Sequence, residues 1–180
     1  MSFNPGNQTY LLNEKLMSLS GDMWIDDQAG NHLFFVDGKA FTVRRTLVLQ
    51  SPDGAELYEV NQSLAHLHQT FEVKRAGVIV AVIQKAMINF LGDHFSVAMA
   101  DGSTLAVEGN WINREFHISR DGTDVIIASR AWFSIRDTYG IQVLGGLEVP
   151  LALAVVIALE QMERLGREHR NSGFGLNFGN

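Results

Sequence analysis

Two pairs of adjacent basic residues are the side chains in this sequence best suited to bind a negatively charged group. Arg44 is followed by Arg45, and Lys74 is followed by Arg75. A guanidinium can donate two parallel hydrogen bonds to one phosphate, and an ammonium adds a compact positive charge. All four are therefore candidate ligand-binding residues for an anion, although ordinary outward-facing strand charge is the interpretation that the sequence alone favours.

Two other clusters contain residue types that bind metal ions. His66 and His68 would place two imidazoles on one face of a strand, and Asp26 and Asp27 would place two carboxylates in a turn. The histidine pair has no third ligand that can be named, and the aspartates lack the spaced oxygen pattern of a calcium loop. Solvent-facing histidines and hairpin-turn carboxylates are the better interpretations, so no metal site is predicted.

The sequence contains no recognisable catalytic motif. There is no Gly-x-Ser-x-Gly elbow, no Walker loop and no His-Glu-x-x-His. The absence of cysteine removes thiolate nucleophiles and disulfides. The glycines of residues 173–179 follow no strand and open no helix, so they do not form a dinucleotide-binding loop. We predict that the protein is not an enzyme and needs no cofactor.

The net charge bears on the class of partner, and the first residues bear on the cellular location. A net charge of -6 argues against nucleic-acid partners, because general nucleic-acid binders are basic. The first residues lack the basic and apolar regions of a signal peptide. A cytoplasmic location is therefore expected.

Most of the chain has the alternating pattern of half-buried strands. From Thr9 to about Val143, short runs such as Phe71–Lys74 and Phe116–Ser119 alternate apolar and polar residues. Turn signals separate the runs at regular spacing, and their number predicts about a dozen strands in an antiparallel sandwich or barrel. Four of these signals are Asp-Gly pairs, typical of tight hairpin turns: Asp37-Gly38, Asp53-Gly54, Asp101-Gly102 and Asp121-Gly122.

Two hairpins resemble each other in sequence. Phe71–Gly77 matches Phe116–Gly122 at the aromatic residue, the following β-branched residue, a basic residue and the glycine. Leu49–Gly54 likewise resembles Val97–Gly102. Either the chain contains a weak twofold repeat of hairpin units, or all its hairpins share the same turn chemistry.

One segment differs from the rest of the chain, because Val149–Leu159 has no polar side chain. A helix that is apolar on every side must be surrounded on every side. Eleven residues rise only about 16 Å, whereas the hydrocarbon core of a bilayer is about 30 Å thick. We therefore predict a buried helix over about residues 149–165, with Pro150 in its first turn, and no transmembrane segment.

This helix explains how a barrel of about twelve strands could be filled, because its lumen is wider than side chains alone can occupy. The predicted fold is mainly β: a closed antiparallel barrel wrapped around a buried, hydrophobic C-terminal α-helix. Residues 1–8 are expected to be a loose lead-in and residues 166–180 a flexible tail. The helical side chains expected to fill the barrel are Leu151, Leu153, Ala154, Val155, Val156, Ile157, Ala158 and Leu159.

Several short motifs, in this order, resemble the LURP-one-related family, whose fold is similar to the Tubby C-terminal domain. They are Tyr10–Lys15, Trp24–Gly30, Phe35–Phe41, Asp53–Leu57, Val107–Trp111, Ile127–Trp132 and Tyr139–Val143. The resemblance covers about residues 9–165 and implies a twelve-stranded barrel around a C-terminal helix. Tubby domains bind phosphoinositide headgroups, so the resemblance also implies a phospholipid headgroup or another anion as a ligand on the barrel exterior.

The sequence thus predicts a single domain over residues 9–165 that acts as a non-enzymatic, cytoplasmic binding or scaffold module. Its expected ligand is a phosphoinositide or other anionic headgroup. The alternative is a protein–protein interaction module in stress or defence-type signalling.

Overall fold

The computed structural model describes residues 7–13, 22–39, 46–63, 70–86, 94–110, 113–130 and 138–172. They form twelve β-strands and one α-helix. The strands are β1 (Thr9–Asn13), β2 (Met23–Asp26), β3 (His32–Lys39), β4 (Thr46–Gln50), β5 (Glu56–Ser63), β6 (Thr70–Arg75), β7 (Val78–Ala86), β8 (His94–Met99), β9 (Thr104–Asn110), β10 (Glu115–Arg120), β11 (Thr123–Ser129) and β12 (Thr138–Val143). The helix, α1, spans Val149–Ser172.

The strands form a closed antiparallel barrel in which each strand pairs with its neighbours in sequence. Strand β1 closes the barrel by pairing with β12, from Thr9 opposite Gln142 to Asn13 opposite Thr138. The predicted barrel and its strand number are therefore confirmed. Among the described strands, each has a neighbour on both sides, and β1 meets β2 at Leu11 opposite Asp26.

Alternation along each strand directs one set of side chains inward. In β6, Phe71 and Val73 are fully buried, whereas the alternate residues Glu72 and Lys74 are partly exposed. Inward-facing residues of all twelve strands and the apolar residues of α1 form one continuous core. The helix therefore occupies the inside of the barrel, as the run of apolar residues predicts.

The helix is buried along most of its length, and every residue from Ala152 to Leu159 has no exposed surface. Leu151, at its start, is only partly buried. The predicted end near residue 165 was wrong, because α1 continues to Ser172 and takes in part of the segment predicted as a tail. A glycine such as Gly166 costs a helix only about 1 kcal/mol, and Arg164 and Glu168 face each other one turn apart at 4.0 Å.

One end of the barrel collects the tight turns and the start of the helix. We call it the hairpin end; it comprises the turns that follow β2, β4, β6, β8 and β10. The backbone N–H of Leu144, just before the helix, bonds the carbonyl of Val125 at 2.9 Å, and Arg120 Nη1 bonds the carbonyl of Gly146 at 3.2 Å. These bonds fix the entry of the chain into α1.

Three of the four Asp-Gly pairs lie in tight turns at this end, with Gly54, Gly102 and Gly122 at positive φ. The fourth was predicted wrongly, because Asp37 and Gly38 lie inside β3. There the backbone N–H of Gly38 donates to the Asp22 carboxylate at 2.7 Å. An Asp-Gly pair thus marks a turn only where the chain also reaches the end of a strand.

The two hairpins that resemble each other in sequence also share their geometry. Ala76 and Gly77 have φ values of 49° and 80°, and Asp121 and Gly122 have 51° and 75°, so both are two-residue turns with two positive φ angles. Each first strand also carries an irregularity in pairing at the equivalent position, after Val73 and after Ile118 respectively. Irregularities of the same kind follow Ile25 in β2 and Leu49 in β4, so shared turn chemistry accounts for this likeness as well as an internal repeat does.

Candidate functional site

Two of the four predicted basic residues lie together at the hairpin end. Lys74 and Arg75 are the last residues of β6 and line a pocket of about 270 Å³ beside β5 and the β6–β7 turn. We call this the β5–β6 pocket; its polar lining residues are Glu56, Tyr58, Glu59, Lys74 and Arg75. The other predicted pair, Arg44 and Arg45, lies outside the described residues.

Arg75 connects the pocket to the start of the helix. Its Nη1 donates to Glu148 Oε2 at 3.1 Å and to the Tyr58 hydroxyl at 3.4 Å. The guanidinium carbon also lies 5.5 Å from the centre of the Tyr58 ring, within the range of a cation–π contact. Because 58% of the Arg75 side chain is exposed, a ligand can still reach it.

Tyr58 is the buried member of this group. Its hydroxyl donates to Glu148 Oε1 at 2.9 Å. Burial, followed by the hydrogen bond to Glu148 and the negative charge of that residue, raises the pKa of Tyr58 to about 12, while Arg75 acts in the opposite direction. The phenol therefore remains a protonated donor throughout the neutral pH range.

Lys74 occupies the outer face of the same strands. Its Nζ forms a 3.0 Å ion pair with Glu72, and the strand register places it directly opposite Glu59. The Asn61 amide donates to the Glu59 carboxylate. The pocket therefore presents positive and negative groups side by side, and its carboxylates were not among the residues named from sequence.

The tyrosine and the carboxylates of this site were not identified from sequence as parts of it. Glu148 directly precedes α1, where a carboxylate interacts favourably with the helix dipole. Its partner Arg75 lies far away in the chain, and only closure of the barrel around the helix brings them together. The pairing of β5 with β6, by contrast, follows from hairpin order and could have suggested that Glu59 faces Lys74.

The predicted metal-binding candidates have other roles or lie outside the described residues. Asp27 Oδ1 accepts the backbone N–H groups of Ala29 and Asn31 at 2.8 and 2.9 Å, so the expectation of a turn carboxylate is confirmed. Asp26 contacts His32 at 2.6 Å. His66 and His68 are not among the described residues. Within the described ranges, no three metal-ligating side chains come together.

A second polar cluster lies inside the protein. Arg114, which precedes β10, forms a 2.8 Å ion pair with Glu160 of α1, and 3% and 6% of the two side chains are exposed. The Tyr139 hydroxyl donates to Glu160 Oε1 at 2.7 Å. These contacts join the helix to the barrel wall, and their enclosure argues for a structural role.

No helix in the described part of the chain has the length and apolar character needed to cross a membrane.

Comparison with known proteins shows where this architecture recurs. The sequence profile of the LURP-one-related family matches residues 8–160. The uncharacterized protein YxjI of Bacillus subtilis is 24% identical over 152 residues, which cover 84% of this chain and 91% of that protein. The X-ray structure of a protein from Arabidopsis thaliana matches with a TM-score of 0.65 and 15% identity, over 87% of this chain and 91% of that one. At this identity the structural match shows the fold alone.

Proposed function

The chain belongs to the LURP-one-related family, and we propose that it acts as a non-enzymatic binding module whose ligand presents a phosphate group to Lys74 and Arg75. A phospholipid headgroup or another small phosphate-bearing anion is the proposed ligand class. The resemblance to Tubby-type domains supports a headgroup, and a cytoplasmic location belongs to the same proposal.

The arrangement of Arg75 carries this proposal. Within the described part of the chain, its hydrogen bonds all run through Nη1, to Glu148 and Tyr58. A guanidinium has five N–H donors, so the groups on Nη2 and Nε remain for a ligand. The contacts to Glu148 and Tyr58 hold the side chain at the pocket, which lowers the entropy lost when a phosphate binds.

The proposed binding surface is the outside of the barrel, because the helix fills the inside. Ala152 to Leu159 are fully buried against the inward-facing residues of the strands. The β5–β6 pocket opens at the hairpin end and is lined by groups that can donate and accept hydrogen bonds. A phosphate there would compete with Glu148 for Arg75, so binding of moderate affinity is expected.

Isothermal titration calorimetry with inorganic phosphate and inositol 1,4,5-trisphosphate tests the proposal. Arg75→Gln should weaken binding about tenfold or more, since a charged hydrogen bond contributes about 1.5–3 kcal/mol. Arg167→Gln, an exposed residue near the end of α1, is the matched control and should bind like the parent protein. Arg44→Gln with Arg45→Gln tests the other predicted pair.

Two results would overturn this function. One is a parent protein that binds neither probe. The other is binding that Arg75→Gln and Lys74→Gln leave unchanged. The protein-interaction module predicted as the alternative would then become the better hypothesis.

A further inference from the structure

The β6–β7 hairpin carries an exposed apolar tip beside the β5–β6 pocket. Val78 and Ile79, the first residues of β7, are 65% and 42% exposed. In the described ranges, the remaining large hydrophobic side chain with comparable exposure is Trp24, on β2. Val78 follows directly after the pocket residue Gly77, so the apolar tip and the charged pocket form one continuous surface.

The turn itself does not require apolar residues at these positions. The β10–β11 hairpin has the same turn and the same pairing irregularity, but it carries Thr123 and Asp124 where the β6–β7 hairpin carries Val78 and Ile79. All four residues are exposed. The apolar character of the β6–β7 tip is therefore a specific property of that hairpin.

The charges around the tip favour a partner that carries both signs. Lys74 and Arg75 are accompanied by the pocket carboxylates Glu56 and Glu59, and each cation already has an acidic neighbour, Glu72 for Lys74 and Glu148 for Arg75. The net charge of the whole chain is -6. An anionic membrane surface would repel such a protein, whereas a zwitterionic headgroup offers a phosphate to the cations and an ammonium to the carboxylates.

We propose that the β6–β7 hairpin docks on a bilayer of zwitterionic phospholipids. Val78 and Ile79 enter the interfacial layer, the lipid phosphate contacts Arg75, and the lipid ammonium faces Glu56 and Glu59. This inference rests on the proposed function, because it uses the same phosphate contact in the β5–β6 pocket.

A bilayer suits this tip better than a protein partner does. A stable protein interface buries about 800 Å² on each side, far more than two side chains on a narrow turn provide. Shallow insertion is also compatible with the backbone, because Arg75 and Val78 pair across the hairpin and only Ala76 and Gly77 remain in the turn. Unpaired backbone groups are costly in the hydrocarbon core but are hydrated at the interface.

Vesicle flotation tests the inference. The parent protein should float with vesicles of phosphatidylcholine and phosphatidylethanolamine in equal parts, and added phosphatidylserine should not increase the bound fraction. The variant Val78→Thr/Ile79→Thr keeps two β-branched residues and adds no charge opposite Lys74, so it should fold, and its partitioning should fall about tenfold. Trp24→Thr, checked for folding by circular dichroism, is the control that removes the exposed apolar side chain elsewhere.

Three results would overturn the inference: no flotation of the parent protein, equal flotation of Val78→Thr/Ile79→Thr, or flotation that requires phosphatidylserine. Calorimetry with inorganic phosphate distinguishes failure of the membrane-docking inference from failure of the proposed function. Val78→Thr/Ile79→Thr retains Lys74 and Arg75 and adds no charge opposite Lys74, so it should bind phosphate as the parent does even when it no longer floats. If the parent protein does not bind phosphate, both the inference and the proposed function are overturned.

Discussion

Arg75 and Glu148 form a 3.1 Å ion pair that joins the end of β6 to the residue before the central helix. Both side chains are about half exposed, and a surface ion pair of this kind contributes only about 0–1 kcal/mol to stability. The main effect of the ion pair is therefore to position the Arg75 side chain. It holds a guanidinium at the mouth of the β5–β6 pocket, next to the hydroxyl of Tyr58.

Tyr58 makes stability depend on pH in the alkaline range. Its pKa is raised from 10.0 to about 12, so between these values the unfolded chain binds fewer protons than the folded protein. The contribution of Tyr58 is therefore fully present below pH 10 and is lost as the pH rises towards 12. Urea denaturation across this range should show a smaller fall in stability for Tyr58→Phe than for the parent protein. An equal fall in both would contradict the role of Tyr58.

Removal of the Glu148 charge should shift the titration of Tyr58 to lower pH. Glu148→Gln takes away a negative charge and should lower the pKa of Tyr58, because that charge is one of the causes that raise it. Ultraviolet absorbance of the phenolate, compared with Tyr58→Phe to assign the transition, measures the shift. An unchanged or higher pKa would show that Glu148 does not act on Tyr58.

The central helix should not tolerate a charge. Ala154 has no exposed surface, so Ala154→Asp places a carboxylate inside the apolar core at a cost on the order of several kcal/mol. This is comparable to the net stability of a typical domain, about 5–15 kcal/mol, and little folded protein is expected. Arg167→Asp, an exposed position on the same helix, should fold and melt nearly as the parent does. A stable, monomeric Ala154→Asp protein would contradict burial of the helix.

Gly109 is required by close packing as well as by backbone conformation. It has φ +119°, and a Cβ there would lie 2.5 Å from the carbonyl oxygen of Glu115 and 2.7 Å from Phe116 Cα. Gly102 also has positive φ, but nothing lies within 4 Å of its added Cβ. Gly102→Ala should therefore lower the free energy of unfolding by about 1–2 kcal/mol, because an L-residue is strained at positive φ. Gly109→Ala should lower it by clearly more, because it adds the steric clash. Thermal unfolding of the two variants measures the two losses of stability. Equal losses would contradict the steric role of Gly109.

Arg114 and Glu160 should behave as a coupled pair. Arg114→Met leaves a buried carboxylate without its cation and should cost about 3–5 kcal/mol. Adding Glu160→Gln removes the charge, while the amide oxygen can still accept the Tyr139 hydroxyl, so the double variant should be more stable than Arg114→Met alone. A double-mutant cycle by urea denaturation measures the coupling energy. Additive losses would contradict a coupled pair.

The barrel and its helix could be predicted because both depend on local patterns. Alternation such as that of Phe71–Lys74 indicates a half-buried strand, and the uninterrupted apolar run from Val149 to Leu159 indicates burial on every side. The buried polar residues beyond that run could not be predicted. Glu160, Gln161 and Glu163 are 5%, 1% and 4% exposed, although their types favour the surface.

The candidate site was predictable only in part, for a related reason. Lys74 and Arg75 are adjacent in sequence and could be identified as a pair, but Tyr58 and Glu148 join them only through strand pairing and barrel closure. The burial of Glu160 likewise depends on Arg114, a partner from a distant turn. The particular side-chain pairs that form through barrel closure leave no signal in a single sequence.

Backbone amide chemical shifts, recorded by NMR while inorganic phosphate is added, test the central claim most directly. The account predicts that the largest shifts occur at Lys74, Arg75 and Gly77, and that Arg75→Gln abolishes them while Arg167→Gln leaves them intact. Shifts concentrated away from the β5–β6 pocket, or no saturable shifts at all, would contradict it.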